Sequence, residues 1–494
     1  MKNIFYSIWM FFALILMWSC DNVDFGDVND NPNGATEPNP SSLLANAMVT
    51  YATMTGGDYL IRPTLYVQYQ SQVTYTNLMR YSETPSTWFL YYTGALEDLS
   101  ATISFAEDPA NQGADLDAQG YPDNQIGVAK LMMAEIMKRV TDCYGDVPYS
   151  EAFQGLDNLS PAYDSQESIY DALFELVKEA RDMMDESEAG PTGDVIFHGD
   201  VLKWKKFANS LLMQMAIQLS NKYPDPSGKA ATEFVAALND SNGVIETVGD
   251  EPWFTYEDLV GFRNPWFANR TRDYFLSQEF TDALHGYATD LNPTSNTTYD
   301  ARLEVYSTDA GLDGVPYGYR DESGAGKNQM STANYWNATS PLPMMTASYT
   351  WLNRAEAAAL GWTSEDPETM LVSGIELSYE TLDAHHGTSI SSQADAYIQA
   401  RLIDVANYGM LQVIAEEKWV SLFGEGFDAW AEWRRTGIPD LKPAADYING
   451  GTIPQRYNYP TEESSLNNEN YTKGVSTLEP AQDNNTSKVW WAQD

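Results

Sequence analysis

From Ser42 onward the apolar residues recur at three- and four-residue intervals, and this spacing restricts the chain to helices packed on helices. Val128, Met132, Ile136 and Val140 form one stripe, with Leu131 beside them. Ile169, Leu173, Leu176, Val177, Ala180 and Met184 form a second. Its expected N-cap is Asp164 or Ser165, because a short oxygen-bearing side chain accepts from the orphan N–H groups of a first turn. Trp204, Phe207, Leu211, Met215 and Leu219 form a third behind Asp200. Further helical patterns run from Trp351 to Gly361, Met370 to Leu382, Tyr408 to Phe423 and Phe427 to Arg435. Several come in pairs with short connections, and Ala355, Ala357 and Ala359 allow close helix approach. Such pairs stack in tetratricopeptide-like solenoids, although the roughly 34-residue period of that repeat is not clean here. The expected fold class is mainly α, a helix-pair scaffold.

Between about residues 243 and 345 the texture changes. Gly, Pro, Asn and Asp become frequent, and aromatics stand among them: Trp253, Phe254, Tyr256, Trp266, Tyr317, Tyr319, Tyr335 and Trp336. Only a short helical stripe persists, from Tyr274 to Leu284. Long irregular insertions on a rigid scaffold are where binding residues concentrate. An aromatic face covers the apolar face of a sugar ring, and neighbouring amide, carboxylate or guanidinium groups take its hydroxyls. Tyr335, Trp336 and Asn337 are the leading candidates for such a platform. Trp253, Tyr256, Tyr317 and Tyr319 come next, with Asn77 and Arg80 as polar partners from earlier in the chain. Trp88, Tyr91 and Tyr92 lie at helical spacing and read as core. The stretch 443–494 is again loop-like and ends near Trp490 and Trp491.

The first residues read as an export signal. Lys2 precedes an apolar run from Ile4 to Trp18, followed by Ser19 and Cys20. That run is about 15 residues, short of the roughly 20 a membrane span needs. A cysteine after a small residue at the end of such a run resembles the bacterial lipobox, with Met17 where Leu is usual. The expected organisation is a signal over 1–19, an acidic leader over 20–41 acylated at Cys20, and one helical domain over 42–494. Acylation by several chains would hold the protein at the membrane. Cys143 is then left without an intramolecular partner and reads as a buried small hydrophobe.

Net charge narrows the partners. With 70 acidic against 28 basic residues the chain carries −42. Nucleic acid demands a basic footprint, so it is excluded, and polyanionic glycans are disfavoured. Catalytic motifs are also missing. Only four histidines occur, none in a His-Glu-x-x-His arrangement, and there is no Gly-x-Ser-x-Gly elbow or phosphate-cradling glycine loop. The chain is expected not to be an enzyme. No cofactor is expected either. Asn29, Asn31, Asn33 and Gly34 resemble the start of a calcium loop, but Pro40 stands where the closing Glu belongs. The Glu432-to-Arg435 run reads as a helix end closed by Gly437, and Thr141-Asp142 with Gly145-Asp146 as a turn between paired helices.

Several segments together resemble the SusD/RagB family of nutrient-binding outer-membrane lipoproteins of Bacteroidetes. They are Asp27 to Asn33, Thr141 to Ala152, Pro161 to Tyr170, Lys203 to Leu211, Asp300 to Leu303, Gly426 to Pro439 and Lys488 to Trp491. Ala301 departs from the family's usual Pro. The resemblance spans nearly the whole chain in order. It implies a tetratricopeptide-like scaffold whose loop insertions form the ligand surface. It also implies a lid-like lipoprotein on the cell surface, serving a SusC-like TonB-dependent barrel. The charge balance and aromatic content favour a neutral oligosaccharide as ligand. The RagB side of the family leaves a peptide or protein ligand as the alternative.

Overall fold

Each apolar stripe becomes a helix, and most begin where a capping side chain stands. The computed structural model describes residues 38–55, 58–83, 87–268 and 271–493. Cys20, the export signal, the leader through residue 37 and the calcium-like Asn29–Gly34 stretch therefore lie outside the described residues. Its helices fall in the unit Pro40–Asp494.

The helices of eight residues or more are α1 (Pro40–Thr55), α2 (Asp58–Tyr66), α3 (Glu97–Glu107), α4 (Pro122–Tyr144), α5 (Gln166–Met183), α6 (Val201–Gln218) and α7 (Lys229–Leu238). They continue with α8 (Gln278–His285), α9 (Ala347–Ala359), α10 (Pro367–His386), α11 (Ala394–Tyr408), α12 (Met410–Ser421), α13 (Gly426–Thr436) and α14 (Asn468–Ser476). Ser165 caps α5 by accepting from Ser168 N at 3.2 Å, and Asp200 caps α6 by accepting from Lys203 N at 3.1 Å. The stripe expected from Tyr408 to Phe423 is divided. Gly409, at φ +97°, ends α11 after Tyr408 and lets α12 start in a new direction.

Neighbours in sequence are neighbours in space. α3 packs on α1 and α4, α4 on α5, α5 on α6, and α6 on α7; α9 then packs on α10 and α12, and α12 on α13. This is helix-pair, tetratricopeptide-like stacking. Among the described residues, strand is confined to three two-stranded antiparallel ladders: Gln70–Gln72 with Tyr274–Leu276, Val147–Pro148 with Tyr163–Asp164, and Trp253–Phe254 with Leu342–Pro343. The first and third stitch the irregular insertion to itself and to the end of α2.

The scaffold core contains charge as well as hydrocarbon. Arg302 is fully buried; it donates to both Asp300 oxygens and to Glu417 Oε2 at 2.7 Å. Arg401 binds Glu416, Glu417 and Asp404. Arg435 bridges Glu356 and Glu432, and Lys418 joins the same two carboxylates. The two Arg435-linked carboxyls are held below the usual carboxylate range; burial opposes this, and the Arg435 and Lys418 charges overcome it. The Asp300–Leu303 and Glu432–Arg435 motifs thus join helices. Gly437 closes α13 at φ +69°, as its position implied. Cys143 is buried, which pushes its thiol up to about 12, so it stays protonated and inert.

Candidate functional site

Three segments far apart in sequence meet at one edge of the insertion: the turn after the Gln70–Gln72 strand, the chain around Gly318, and the chain after Leu441. Backbone atoms make most of the junction. Asp446 N donates to Gly318 O at 2.9 Å, and Ile448 N donates to Arg80 O at 2.8 Å. Arg80 Nε donates to Asp446 O at 2.6 Å, while Asp446 Oδ2 accepts from Arg320 N at 2.8 Å. Underneath, Tyr317 donates its hydroxyl to Met79 O at 3.1 Å, and Tyr81 Oη accepts from Ala444 N at 2.9 Å. Gly318 is required here. It sits at φ +84°, and a Cβ on it would come within 2.3 Å of Ala444 Cα.

The junction turns aromatic and polar side chains outward. Tyr75 is 71% exposed, Tyr447 50% and Tyr319 43%, and Asn77 and Arg320 are also exposed. Tyr75 holds φ +55°, a backbone region that bulky residues rarely occupy. Non-glycine residues in that region gather at binding sites more than elsewhere. Tyr447 lies over Gly451, whose missing side chain makes room for the ring. Phenol faces can stack on sugar rings, and Asn77, Arg80 and Arg320 supply hydroxyl partners. Nothing in this set is a nucleophile with a neighbouring base, so the arrangement suits binding.

Of the sequence-derived candidates, Asn77, Arg80 and Tyr319 are brought together on this face. Tyr317 lies beneath it, only 3% exposed. The others are placed elsewhere, and each correction has a packing reason. Trp336 is 5% exposed; Trp266 sits edge-on to it at 5.3 Å and Tyr274 at 5.8 Å, so neither ring face is open. Tyr335 packs against Phe423 at 5.1 Å and Tyr306 at 6.0 Å, and burial raises its phenol well above the usual range. Asn337 spends its amide within its own turn, donating to Ala333 O and accepting from Thr339 N. Trp253 stacks on His385 with centroids 3.8 Å apart and donates to Glu251. Tyr256 donates to Ala52 O at 2.7 Å and is buried. With little helix of its own, the insertion fills the space against the scaffold with these large rings.

Sequence reasoning missed Tyr75, Arg320 and Tyr447. The available signals were local: an aromatic flanked by Thr and Asn at Tyr75, and an aromatic–aliphatic pair ahead of Gly450-Gly451 at Tyr447. Trp88 and Tyr91 are core, as their spacing implied. Trp88 lies 5.2 Å from Tyr144 and 5.8 Å from Tyr459.

Two concavities contrast with the face. A chamber of about 30 Å³ beside Trp266, Tyr335 and Phe423 has room for about one water and no sugar. An open cleft of about 440 Å³ lies between Trp88, Tyr92, Phe153 and Glu463, near the exposed Leu156, Leu159 and Leu466. Its lining joins those aromatics to Thr93, Glu97, Glu151, Gln154, Asn158 and Asn467, so it carries hydroxyl partners as well as exposed leucines.

Comparison with known proteins agrees with this architecture. The SusD-like family model described as "Starch-binding associating with outer membrane" matches residues 32–460. No curated protein matches the chain. Among solved structures, a chitin-binding protein is similar at 24% identity with a TM-score of 0.77, covering 92% of this chain and 100% of its own. A SusD homologue of Bacteroides uniformis ATCC 8492 is similar at 22% identity and a TM-score of 0.73, covering 92% and 99%. A chitin-binding SusD homologue from Flavobacterium johnsoniae is similar at 21% identity and a TM-score of 0.69, covering 92% and 98%.

Proposed function

This chain belongs to the SusD-like family of outer-membrane-associated nutrient-binding proteins, and on that premise we propose that it captures a neutral oligosaccharide on the face formed by Tyr75, Asn77, Arg80, Tyr319, Arg320 and Tyr447. The observation that carries the reading is the exposure of three tyrosines at a junction where backbone hydrogen bonds tie three distant segments together. Two structural relatives are chitin-binding proteins, and the family description names starch. Both polymers are uncharged. A chain carrying −42 repels polyanions and leaves neutral ligands unaffected.

In the same proposal the mature chain, a leader followed by one helical domain from residue 42, is anchored at the cell surface by lipid on Cys20. It serves as a lid over a SusC-like TonB-dependent outer-membrane barrel and passes ligand to it. Family membership supports the barrel partnership, and the export signal ending at Ser19-Cys20 supports the anchor. Mass spectrometry of the membrane fraction will then find an acylated N-terminal Cys20; a free N-terminus beyond it removes the anchor.

Calorimetry against chitooligosaccharides, maltooligosaccharides, sulfated glycans and peptides tests the ligand. Binding of a neutral glycan, about micromolar or weaker as a delivery protein requires, is expected. Binding of peptides alone replaces this reading with the RagB-type alternative. Full binding by a Tyr75→Ala, Tyr319→Ala double variant removes the site while leaving the glycan reading intact.

A further inference from the structure

Behind the face, the segment leading to Tyr317 and Tyr319 is pressed onto helix α8. Gly314 N donates to Thr281 Oγ1 at 2.9 Å, and a Cβ on Gly314 would fall 2.2 Å from Ser277 O. Val315 N donates to Leu276 O and Gln278 N to Val315 O, both at 2.9 Å. This clamp brings Asp313 beside the α8 residues Asp282 and His285, one helical turn apart. One donor atom from each of the three lies within 4.8 Å of the others.

Asp282 and His285 each also hold a buried atom that has no hydrogen-bond partner. Asp282 is 1% exposed, its Oδ2 accepts from Thr289 Oγ1, and its Oδ1 has no partner. His285 Nδ1 is likewise buried and unpartnered. The tautomer follows from the other ring nitrogen. His285 Nε2 lies 2.8 Å from Ala310 O, a group that can only accept, so Nε2 carries the proton and Nδ1 presents a lone pair. An imidazole fixed by a carbonyl on one nitrogen and open on the other is the usual setting of a metal-bound histidine. Unsatisfied buried polar atoms each cost on the order of 1–3 kcal/mol, so two facing one another call for an occupant.

We propose that Asp282 Oδ1, His285 Nδ1 and an Asp313 carboxylate oxygen bind a divalent transition-metal ion of the zinc kind. One imidazole and two carboxylates suit zinc's N/O ligand set, with water completing the tetrahedron. Calcium and magnesium prefer all-oxygen sites, and the imidazole selects against them. The charges also match: two carboxylates and a neutral ring give −2 against a dication. Burial, and then the neighbouring Asp313 charge, raise the Asp282 carboxyl, and a cation relieves both effects. Asp313 is exposed, so its side chain can close the last distance without disturbing the core. A bound ion would tie α8 to the 309–315 segment and so brace the arm that carries Tyr319. This site stands whichever ligand the face takes.

The test uses the full-length chain purified in detergent, stripped with chelator and titrated by calorimetry with Zn²⁺, Mn²⁺ and Ca²⁺. One equivalent of Zn²⁺ is expected to bind, and Asp313→Asn and His285→Gln are each expected to weaken it by at least tenfold, as loss of a ligand should. Asp313→Asn changes an exposed side chain, and an unchanged circular dichroism spectrum will show that it folds. Hydrogen exchange supplies a second readout: Zn²⁺ should slow amides 309–315 in the parent chain and not in either variant. Failure of the parent chain to bind Zn²⁺ overturns the site. Zn²⁺ affinity in both variants equal to that of the parent chain also overturns it, assigning the ion to other residues. Calcium binding that is lost in Asp313→Asn, without zinc binding, overturns the zinc assignment.

Discussion

The helix-pair body and the three-segment face use the same residue types in opposite ways. In the body, Arg401 and Arg435 are buried, and each is held by a carboxylate from another helix; Arg302 of the insertion is buried against the same helices through Glu417. Tyr349 and Tyr397 are buried there too, donating to Glu432 and Glu417. On the face, Arg80 is fixed by a backbone carbonyl, Arg320 is held through its own N–H, and Tyr75, Tyr319 and Tyr447 turn to solvent. Composition is therefore silent about which arginine or tyrosine meets a ligand. The backbone decides. Where it is helical, side chains interdigitate with the next helix and most buried polar groups find a protein partner. Where strands and turns satisfy the backbone among themselves, side chains are left over for something else.

The sharpest way to break this contrast is to remove a buried arginine. Arg302→Ala leaves Asp300 buried without its cation and Glu417 with Arg401 alone, and a loss of about 3–5 kcal/mol in urea unfolding is expected. A loss near zero would mean the network is solvated and the contrast false. Trp336→Ala comes next. It empties a site between Trp266 and Tyr274, and is expected to cost about 3 kcal/mol or more by the same measurement. Any effect on ligand binding should follow only from that loss of structure. Tyr319→Ala reverses the pattern: stability within about 0.5 kcal/mol of the parent, and neutral-glycan affinity about tenfold lower by calorimetry, combining lost stacking and lost buried area.

Glu279 sits between the two regions and sharpens the boundary. Burial pushes its carboxyl up to about 7 from 4.5, while Tyr317 N donates to it. A raised carboxylate keeps its proton in the folded chain after the unfolded chain has released it. Its contribution to stability therefore falls as pH rises from about 4.5 to about 7, and is flat above that. Glu279→Gln should remove this component, so the parent-minus-variant stability difference should slope only within that window. A difference independent of pH would show that the carboxyl is hydrated. The smallest expected effect is of salt. Raising NaCl from 50 to 500 mM should change neutral-glycan affinity by less than about twofold, since no ion pair is made with the ligand. A larger change would indicate a charged ligand and favour the peptide alternative.

Much of the scaffold was legible because a helix writes its burial into a short period. Ile169 and Leu173, or Trp204, Phe207 and Leu211, declare one face within two turns, and Ser165, Asp200 and Gly437 punctuate the ends. The face was legible only in part. Asn77, Arg80 and Tyr319 could be named as types suited to a sugar, but Arg80 and Asp446 are 366 positions apart, and no local pattern announces that contact. Trp336 was misread for a related reason. In an irregular segment no period separates an inward ring from an outward one, and the larger ring has more to gain from burial.

The junction at Gly318, Ala444 and Asp446 has a consequence for how such a chain can change over time. Each of its hydrogen bonds has a main-chain atom on at least one side, and the side chains that complete the set are those of Arg80, Tyr81, Tyr317 and Asp446. Replacing Asn77 or Tyr319 therefore leaves the frame intact, whereas replacing Gly318 does not. On the binding face proposed above, a lineage carrying this frame would exchange one ligand for another through a few outward side chains, each step costing little stability. Selection for a new nutrient then acts on three short stretches while the helices behind them stay under constraint.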